Sequence, residues 1–559
     1  MTPFSPVYTY GILCGITSLV LLHLWSLVRF RARTKGLPLP PGPRRLPFVG
    51  NLLNVPSSWK PWVGFRHLAQ EYGDIVYVEV FGRPMLILGN PDVMLEFLDK
   101  RSAISSDRVP SPLIELTGQG YNFAFIPYGQ WWRRHRRAFW QQFHPGVVPR
   151  YYHHQQSITR DFLAKVLHEP TACQELIRYC LSAVALKAVY NSDMHSLADP
   201  RLSVIEDLFV GIREVTASMQ LLLDFCPSLQ YLPAWTPVIG KFLKKLSASK
   251  APNYHLIETE YADAKARVES GAIDHSVVSN LIQKLDEVRN KEADLMNEEV
   301  QIAKGVAGVA MEGEFDLLVT FSTTEGFFVA MALHPEVQRK AQAELDTVVG
   351  PQRLPDFGDR DSLVYINAIV KESLRWHNVV PLGVAHKTIE DAELRGYFIP
   401  RETMVVPNVW YCVRLIAVAT RACMHDHRYY AEPERFNPDR FIRDGRLHAD
   451  VLDPSNFVFG FGRRKCPGRH FADAGLFILF ASVLHVFKIE LAKDASGRPV
   501  DVKHEQSHGF LSQVTFACIT SDALVLTFDR YPENFPCVVR PRSEEAVALI
   551  RGSRPREGQ

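Results

Sequence analysis

A single cysteine lies in a turn rich in glycine and arginine near the carboxyl end, in the stretch FGFGRRKCPGRHFAD that runs from Phe459 to Asp473. The adjacent cations, and the positive end of the apolar helix predicted to start at Pro467, both favour the thiolate form of Cys466. A thiolate held by backbone donors beside an apolar helix is the axial ligand that a haem iron needs. Two other interpretations are weaker: most lone thiols pack as small apolar groups, and a nucleotide-binding loop would need glycine where Lys465 stands.

Three further patterns place charged groups on otherwise apolar helices. In YGQWWRRHRRAFW, Trp132 and Arg136 lie one turn apart and suit a buried anion, although a solvated basic face is equally typical of such a cluster. In VYINAIVKESLRW, Glu372 and Arg375 have the i, i+3 spacing of an ion pair, which by itself is most often a surface pair. In RFNPDRF, Arg440 is placed to join that pair in a buried network in which every charge is compensated.

Together these four patterns resemble the signature of the cytochrome P-450 superfamily and occur in that family's order. The Cys-loop pattern F-x-x-G-x-R-x-C-x-G is met in full by Phe459, Gly462, Arg464, Cys466 and Gly468. The E-x-x-R pattern matches Glu372 and Arg375, the W-x-x-x-R pattern matches Trp132 and Arg136, and P-x-x-F-x-P-x-R-F matches Pro433, Phe436, Pro438, Arg440 and Phe441. The resemblance spans about residues 40 to 530 and is strongest to fungal oxidases that tailor small secondary metabolites.

The resemblance implies a site for haem b (iron protoporphyrin IX), with Cys466 as the axial ligand of the iron. The other residues that it implies for cofactor binding, several of them at the propionates, are Trp132, Arg136, His386, Phe459 and Arg464. A structural role is implied for Glu372, Arg375 and Arg440. Because the chain has no flavin or nicotinamide motif, electrons are expected from NADPH through a separate cytochrome P-450 reductase, with cytochrome b5 as an optional second donor. A basic face around Arg463, Arg464 and Lys465 is expected to dock that reductase.

The central helix departs from the family pattern where an acid and a threonine deliver protons for oxygen activation. In the stretch from Val306 to Gln338, Asp316 matches the acid, but Leu317 stands where threonine is expected. Thr320 follows on the same helical face, about 4.5 Å further along the axis than position 317. We expect Asp316 and Thr320 to be the catalytic pair, with a π-bulge bringing Thr320 or Thr323 over the iron. The alternative is that Thr320 only bonds its own backbone.

A second departure is an apolar stretch, residues 411–423, between the E-x-x-R helix and the Cys loop. Members of the family pass almost directly from a residue like Trp410 to one like Met424. A surface loop tolerates extra length at small cost, but the sequence YCVRLIAVATRAC suits a loop badly. Our hypothesis is that this stretch is an untranslated segment retained in a predicted gene product, and that the two leucines after Asp316 share that origin.

The remaining sequence predicts a mainly α-helical protein with small β-sheets, in the cytochrome P-450 fold, as a single large haem domain over residues 51–535. The stretch from Asp74 to Asn90 has the β-branched residues and the glycine turn of a hairpin. Most segments after Pro91 have helical patterns, while FKIELAKDASGRPVD and ALVLTFDR are typical of short strands. Residues 536–559 are predicted to form a polar tail.

The amino-terminal segment predicts a single-pass transmembrane helix over residues 7–28, which contain no acid, lysine or arginine. The cations from Arg29 to Lys35 follow this span, so the positive-inside rule places the catalytic domain in the cytosol. A cleaved signal peptide is the weaker alternative because no basic region precedes the span. The basic and proline-rich residues 29–50 then form a semi-rigid hinge. The resemblance to microsomal members implies the endoplasmic reticulum membrane as the location.

The composition argues against some classes of function. The 559 residues include 63 Lys and Arg against 61 Asp and Glu, a balance that argues against a broad positive surface for nucleic acid. The nine cysteines form no C-x-x-C pair and no dense disulfide framework, which is typical of reduced thiols on the cytosolic side.

The expected function is a membrane-anchored monooxygenase that hydroxylates or epoxidises an apolar small molecule, such as a terpenoid or a polycyclic aromatic. Apolar residues predicted to line its substrate chamber are Leu113, Ile114, Val309, Val380, Leu382 and Phe510. One alternative is an oxygen-independent isomerase or dehydratase of the same fold, since such enzymes often lack the threonine. The other is an inactive haem-binding product disabled by the altered central helix and the 411–423 insert.

Overall fold

The computed structural model describes Thr17, Trp25 and residues 28–56, 61–205, 222–237, 239–248, 250–271, 274–288, 293–314, 320–409, 424, 429–493, 497–500, 502–506, 514–518 and 537–553. Within these residues the protein is mainly helical with small sheets, as the sequence predicts. Most of the predicted anchor, Asp316, residues 411–423, Phe510 and the strand ALVLTFDR lie outside the described residues, so these predictions stay predictions.

The helices account for most of the described chain. The longer ones are α1 (Pro61–Tyr72), α2 (Gln130–Phe143), α3 (Tyr152–His168), α4 (Cys173–Tyr190), α5 (Ile239–Ala248), α6 (Lys250–Glu269), α7 (Val277–Val288), α8 (Ala293–Glu314), α9 (Thr320–Leu333), α10 (Pro335–Val348), α11 (Val364–Trp376), α12 (Arg469–Val486) and α13 (Glu544–Gly552). Short helical turns lie at Pro91–Met94, Ser102–Ser105, Pro112–Leu116 and Ser455–Val458.

The largest sheet has four strands in the order β1-β2-β6-β3. Its first two strands, β1 (Ile75–Val80) and β2 (Arg83–Leu88), form the predicted hairpin with Ile75 opposite Leu88. Phe81 and Gly82 both have positive φ, 49° and 76°, as a two-residue type I′ turn requires. The sheet is completed by β3 (His386–Lys387), antiparallel to β6 (Met404–Pro407), which pairs in parallel with β2.

The other strands form small two-stranded sheets. They are β4 (Ala392–Leu394) with β5 (Tyr397–Ile399), β7 (Ile442–Arg443) with β8 (Arg446–Leu447), β9 (Phe487–Leu491) with β12 (Cys537–Pro541), and β10 (Val502–Gln506) with β11 (Val514–Cys518). The β9 strand confirms the prediction for FKIEL, and its partner β12 lies in the segment that was predicted to be a polar tail.

The core is built around the helix that follows the Cys loop. Among the described residues, α12 is the one helix long and apolar enough to cross a membrane, and 72% of that stretch is buried inside the protein. It packs against α3, α10 and α11, and the ring of Phe480 stacks on that of Phe327 in α9 at 3.7 Å between centroids. This burial makes α12 a core helix that holds the Cys loop rigidly at its amino-terminal end.

Candidate functional site

The Cys loop is a tight turn held by its own backbone. A single 3-10 turn covers Gly462–Arg464, and the N–H of Cys466 donates to the carbonyl of Phe459 at 2.7 Å. Helix α12 begins at Arg469 rather than at Pro467, because Gly468 occupies the N-cap position. Cys466 is half-buried, and a Cβ added to Gly468 would lie 4.0 Å from its sulfur. The loop therefore presents one accessible sulfur beside the start of a buried helix.

Gly462 fastens this loop to a distant part of the chain. Its φ of +50° is a conformation that other L residues adopt only with strain. An added Cβ would lie 2.4 Å from the Leu98 carbonyl oxygen and 2.5 Å from Ser102 Cβ. Its N–H donates to Asp99 Oδ1 at 2.8 Å. Only glycine fits this close approach between the Cys loop and residues 95–105.

Arg464 lies inside the protein, where its guanidinium donates to three backbone carbonyls. Its guanidinium donates to the carbonyls of Ser106, Phe123 and Ile126 at 2.7, 3.1 and 2.8 Å. It also lies 4.5 Å from the ring centroid of Trp132. Burial lowers the pKa of Arg464 to about 10. Its predicted part in an exposed basic docking face is therefore wrong, whereas the neighbouring Arg463 is exposed.

Helix α2 brings the predicted tryptophan and arginine against the Cys loop. Trp132 is buried and donates from Nε1 to the Phe123 carbonyl at 3.1 Å. Arg136 donates to the Lys465 carbonyl, next to the cysteine. Burial lowers the pKa of Arg136 to about 10, and the nearby negative charge of an ionised Cys466 partly offsets that effect. The i, i+4 spacing thus places both side chains towards the loop.

His386, which burial keeps neutral, and an arginine that the sequence reasoning missed lie in the same buried region as Arg464. His386, on β3, has Nδ1 2.7 Å from the Ser105 carbonyl, and burial holds its pKa well below the usual range. Arg108 donates to the carbonyls of Ala124 at 2.9 Å and of Val384 and Ala385, both at 2.8 Å. Burial and the charge of Arg464 lower the pKa of Arg108. The signal in the sequence was an arginine beside Asp107 in a loop, SSDRVPSP, that has no other charged residue.

This cluster fits an anionic cofactor. The carboxylate that opposes Arg108 and Arg464 is Asp107, which already pairs with Lys387 at 3.2 Å. The buried hydroxyl of Ser106, in the same turn, has no hydrogen-bond partner among the described residues. A buried excess of positive charge is stable only when an anion compensates it. Two propionate groups would supply that charge, and Cys466 would supply a thiolate ligand, so these residues fit haem.

The buried ion-pair network predicted for Glu372, Arg375 and Arg440 is present in the structure. The carboxylate of Glu372 accepts from Nε and Nη2 of Arg375 at 2.7 and 2.8 Å, and both side chains are 0% exposed. Arg440 Nε and the Asn437 N–H reach the same carboxylate at 3.2 and 2.7 Å. Arg375 Nη1 donates to the Met424 carbonyl at 2.8 Å, next to the 411–423 stretch. The structure thus brings all three predicted structural residues together.

The central helix is described on both sides of Asp316 but not at it. Thr320 is the first residue of α9 and is buried, and its carbonyl accepts from the Thr324 hydroxyl at 2.7 Å. The Thr323 hydroxyl is buried without a hydrogen-bond partner among the described residues. Since Asp316 lies outside those residues, the catalytic pair stays a prediction.

A buried carboxylate on α8 is a second feature that the sequence reasoning missed. Glu312 is 7% exposed and accepts hydrogen bonds from Nε2 of Gln119 and Nδ2 of Asn122, both at 2.7 Å, and from the Tyr121 hydroxyl. Burial raises its pKa to about 7, and the three donors act in the opposite direction. The signal was an acid directly after the apolar stretch from Gly305 to Met311, but nothing local identifies partners about 190 residues away.

The predicted chamber residues are distributed over several parts of the core. Val309 and Val380 border the main helical core, Leu382 belongs to the cluster against the four-stranded sheet, and Leu113 packs with residues of α5.

Comparison with known proteins gives a consistent result. Residues 40–514 match the family model described as Cytochrome P450. The cytochrome P450 monooxygenase COX2 of Coprinopsis cinerea is 34% identical over 93% of this chain and 92% of its own length. A cytochrome P450 monooxygenase of Armillaria gallica is 33% identical over 95% of this chain and 97% of its own. The tryptamine 4-monooxygenase of Psilocybe cyanescens is 31% identical over 93% of this chain and 96% of its own.

Proposed function

This chain belongs to the cytochrome P450 family, a haem-dependent group of oxidoreductases, and on that premise we propose that it hydroxylates or epoxidises an apolar small molecule in fungal secondary metabolism. Its relatives are monooxygenases, so the chain is a monooxygenase as well. The observation that carries the proposal is the buried positive cluster beside the Cys466 loop. That cluster needs an anion, and the loop beside it offers a sulfur ligand.

Each residue of the cluster has a distinct part in holding the cofactor. Cys466 would hold the haem iron through its sulfur, and the Phe459 carbonyl fixes the loop through its bond from the Cys466 N–H. Arg464 would reach the propionates with the N–H groups that its three carbonyl bonds leave free, while Arg136 and the Trp132 N–H would turn to them from their present carbonyl partners. When bound, the haem supplies oxygen activation, in which the electron-rich thiolate favours O–O cleavage.

Separate groups are proposed to supply the protons and to bind the electron donor. Asp316 and Thr320 are proposed as the proton pair, with the unpartnered hydroxyl of Thr323 as an additional group on the same helix. The exposed Arg463 and the half-buried Lys465 face outward on the Cys-loop side, where they would attract an acidic reductase domain. An NADPH-dependent reductase in the endoplasmic reticulum membrane suits the predicted amino-terminal anchor.

The substrate is proposed to be a small, largely apolar molecule, terpenoid or aromatic. The predicted chamber residues on the described chain are aliphatic. One relative acts, by its name, on tryptamine, and its similarity supports a small aromatic substrate class among close members of the family.

A carbon monoxide difference spectrum tests the haem–thiolate assignment. Dithionite-reduced membranes from cells that express the chain should show a strongly red-shifted Soret band. Cys466→Ala should abolish that shift because the sulfur ligand is lost. Cys226→Ala is the matched control, since Cys226 is a half-buried cysteine like Cys466 but lies outside the Cys loop. A red-shifted band in Cys466→Ala, or none in the wild type, would contradict the assignment.

Isotope labelling separates the monooxygenase from an oxygen-independent isomerase. With NADPH, a reductase and ¹⁸O₂, a terpenoid or aromatic substrate that is turned over should gain one labelled oxygen atom. Product that forms from a peroxide substrate without reductase and without label would favour the isomerase. The altered residues around Asp316 make this a necessary distinction.

A further inference from the structure

Glu312 lies where the central helix meets a loop that crosses the haem-binding cluster. The loop segment, residues 119–126, begins with the three side chains that donate hydrogen bonds to Glu312. It ends with backbone carbonyls that accept hydrogen bonds from arginine side chains. The carbonyl of Phe123 accepts from both Trp132 and Arg464, and the carbonyl of Ala124 accepts from Arg108. One segment therefore connects a buried acid of α8 with the residues proposed to hold the propionates.

Hydrogen bonds and close packing hold the loop segment in place between these two ends. Asn122 donates from Nδ2 to Glu312 at 2.7 Å, while its Oδ1 accepts the N–H of Ala124 at 2.9 Å. Tyr121 lies so close to α8 that a Cβ added to Gly308 would come 2.8 Å from its ring. Asn253 of α6 adds a bond from the Tyr121 hydroxyl at 3.2 Å. Asn122, which bonds Glu312, therefore lies within two residues of the carbonyls at Phe123 and Ala124.

We propose that Glu312 is a positioning residue that holds the 119–126 segment closed on α8 and thereby fixes the carbonyls that orient Arg464. This inference rests on the proposed function, because it assigns Arg464 to the haem. Loss of the carboxylate leaves three buried donors without their acceptor, so the closed loop becomes less favourable. The acid does not touch the haem-binding residues, and it acts on them through the loop.

The protonation state of Glu312 should then control how firmly the loop closes. Its pKa is about 7 in the closed arrangement because burial disfavours the charged form, against 4.5 in water. A group whose pKa is raised by closure favours closure when it is protonated. The closed loop therefore loses stability as the pH rises from about 4.5 to about 7, and the loss levels off above that range.

The neighbouring titratable groups do not reverse this sign. They are Tyr121 in the loop, His135 on α2, Tyr190 on α4, and Lys250, Tyr254 and Glu260 on α6. Burial raises the pKa of the tyrosines Tyr121 and Tyr190, which stay neutral, and lowers that of His135. The stem of Lys250 contacts Gly118, and no cation is among the groups that set the pKa of Glu312 in the described residues.

Amide hydrogen exchange on the full-length holoenzyme in detergent tests the proposal. The opening constant of peptides covering 119–126 is measured between about pH 5.5 and pH 8 and is corrected for intrinsic exchange. Glu312→Gln keeps the shape and the acceptor oxygen but cannot ionise. Glu325→Gln is the matched control, because Glu325 is another buried glutamate of the central helices and accepts from Gln174 at 2.5 Å.

We expect the opening constant to rise with pH in the wild type and in Glu325→Gln, by about 30-fold across this pH range, and to stay constant in Glu312→Gln. A flat wild-type profile, or an unchanged rise in Glu312→Gln, would overturn the proposal. The rate of haem loss to an excess of a haem-free acceptor protein should follow the same profile, and a constant rate would overturn the link to Arg464. The exchange profile is readable even if the carbon monoxide spectrum fails, so the two failures are distinguishable.

Discussion

Removing the carboxylate of Glu372 should destabilise the protein more than almost any other single truncation. Arg375 is 0% exposed and Arg440 only 7%, and Glu372 is the acid that pairs with both. In Glu372→Ala two buried guanidiniums lose their counter-charge, and the Asn437 N–H loses its acceptor. At an effective dielectric constant of about 20, one contact at this range is worth about 4 kcal/mol.

Backbone carbonyls limit the loss. Arg375 keeps its bond to the Met424 carbonyl at 2.8 Å, and Arg440 keeps the carbonyls of Ala431 and Glu432 at 2.6 and 3.2 Å. Breaking a buried pair from one side typically costs about 3–5 kcal/mol. We therefore expect Glu372→Ala to lose about 4 kcal/mol of unfolding free energy, a large part of the about 5–15 kcal/mol that stabilises a typical domain.

Urea unfolding of the detergent-solubilised holoenzyme, followed by tryptophan fluorescence and by the Soret band, measures this difference. Glu490→Ala is the matched control, since Glu490 pairs with Lys488 at 2.8 Å on the surface and both side chains are exposed. Such a pair contributes about 0–1 kcal/mol. If Glu372→Ala unfolds within about 1 kcal/mol of Glu490→Ala, the reasoning about the buried network is refuted.

Three further outcomes follow from the site. Arg464→Lys should lower haem occupancy at least severalfold, because a single ammonium cannot reach all three carbonyls and the propionates, while the exposed Arg463→Lys leaves occupancy unchanged by pyridine haemochrome assay. Gly462→Ala should abolish the red-shifted carbon monoxide band. Gly445→Ala should keep the band, because Gly445 also has a positive φ, +71°, but has open space around its Cβ position. Equal spectra of the two variants would contradict the close packing at Gly462. Deletion of residues 411–423 should raise the yield of haem-loaded protein over that of the full chain, and a lower yield would show that the stretch belongs to the native protein.

Local pattern was enough to identify the parts of the site that lie close together in sequence. The hairpin at Ile75–Leu88 follows from β-branched residues around a glycine, and the ion pair of Glu372 with Arg375 follows from i, i+3 spacing. The Cys loop follows from a glycine-rich turn whose backbone N–H groups donate to carbonyls of the same turn. In each case the partners are within one turn of helix or one hairpin, so spacing determines contact.

The parts that the sequence did not reveal depend on contacts between distant segments. Arg108 is buried only because the segment at Val384 and Ala385 returns to cover it, 276 and 277 residues later. Glu312 meets Asn122 across 190 residues. Arg464 stands between the exposed Arg463 and the half-buried Lys465, and carbonyls more than 330 residues away bind the one of the three that points inward. No periodicity encodes such choices.

The long reach of the Cys-loop contacts bears on how the protein is made. Gly462 bonds Asp99 across 363 positions, and Arg464 bonds Ser106 across 358. A ribosome must therefore complete most of the chain before these contacts can form. Until then, the surface of the amino-terminal half that packs against the Cys loop stays exposed. Topologies with such distant pairings fold slowly and populate aggregation-prone intermediates. Cofactor supply late in synthesis, rather than early, should then set the yield of functional protein, because a nascent chain truncated before Cys466 lacks the residue proposed to bind the haem iron.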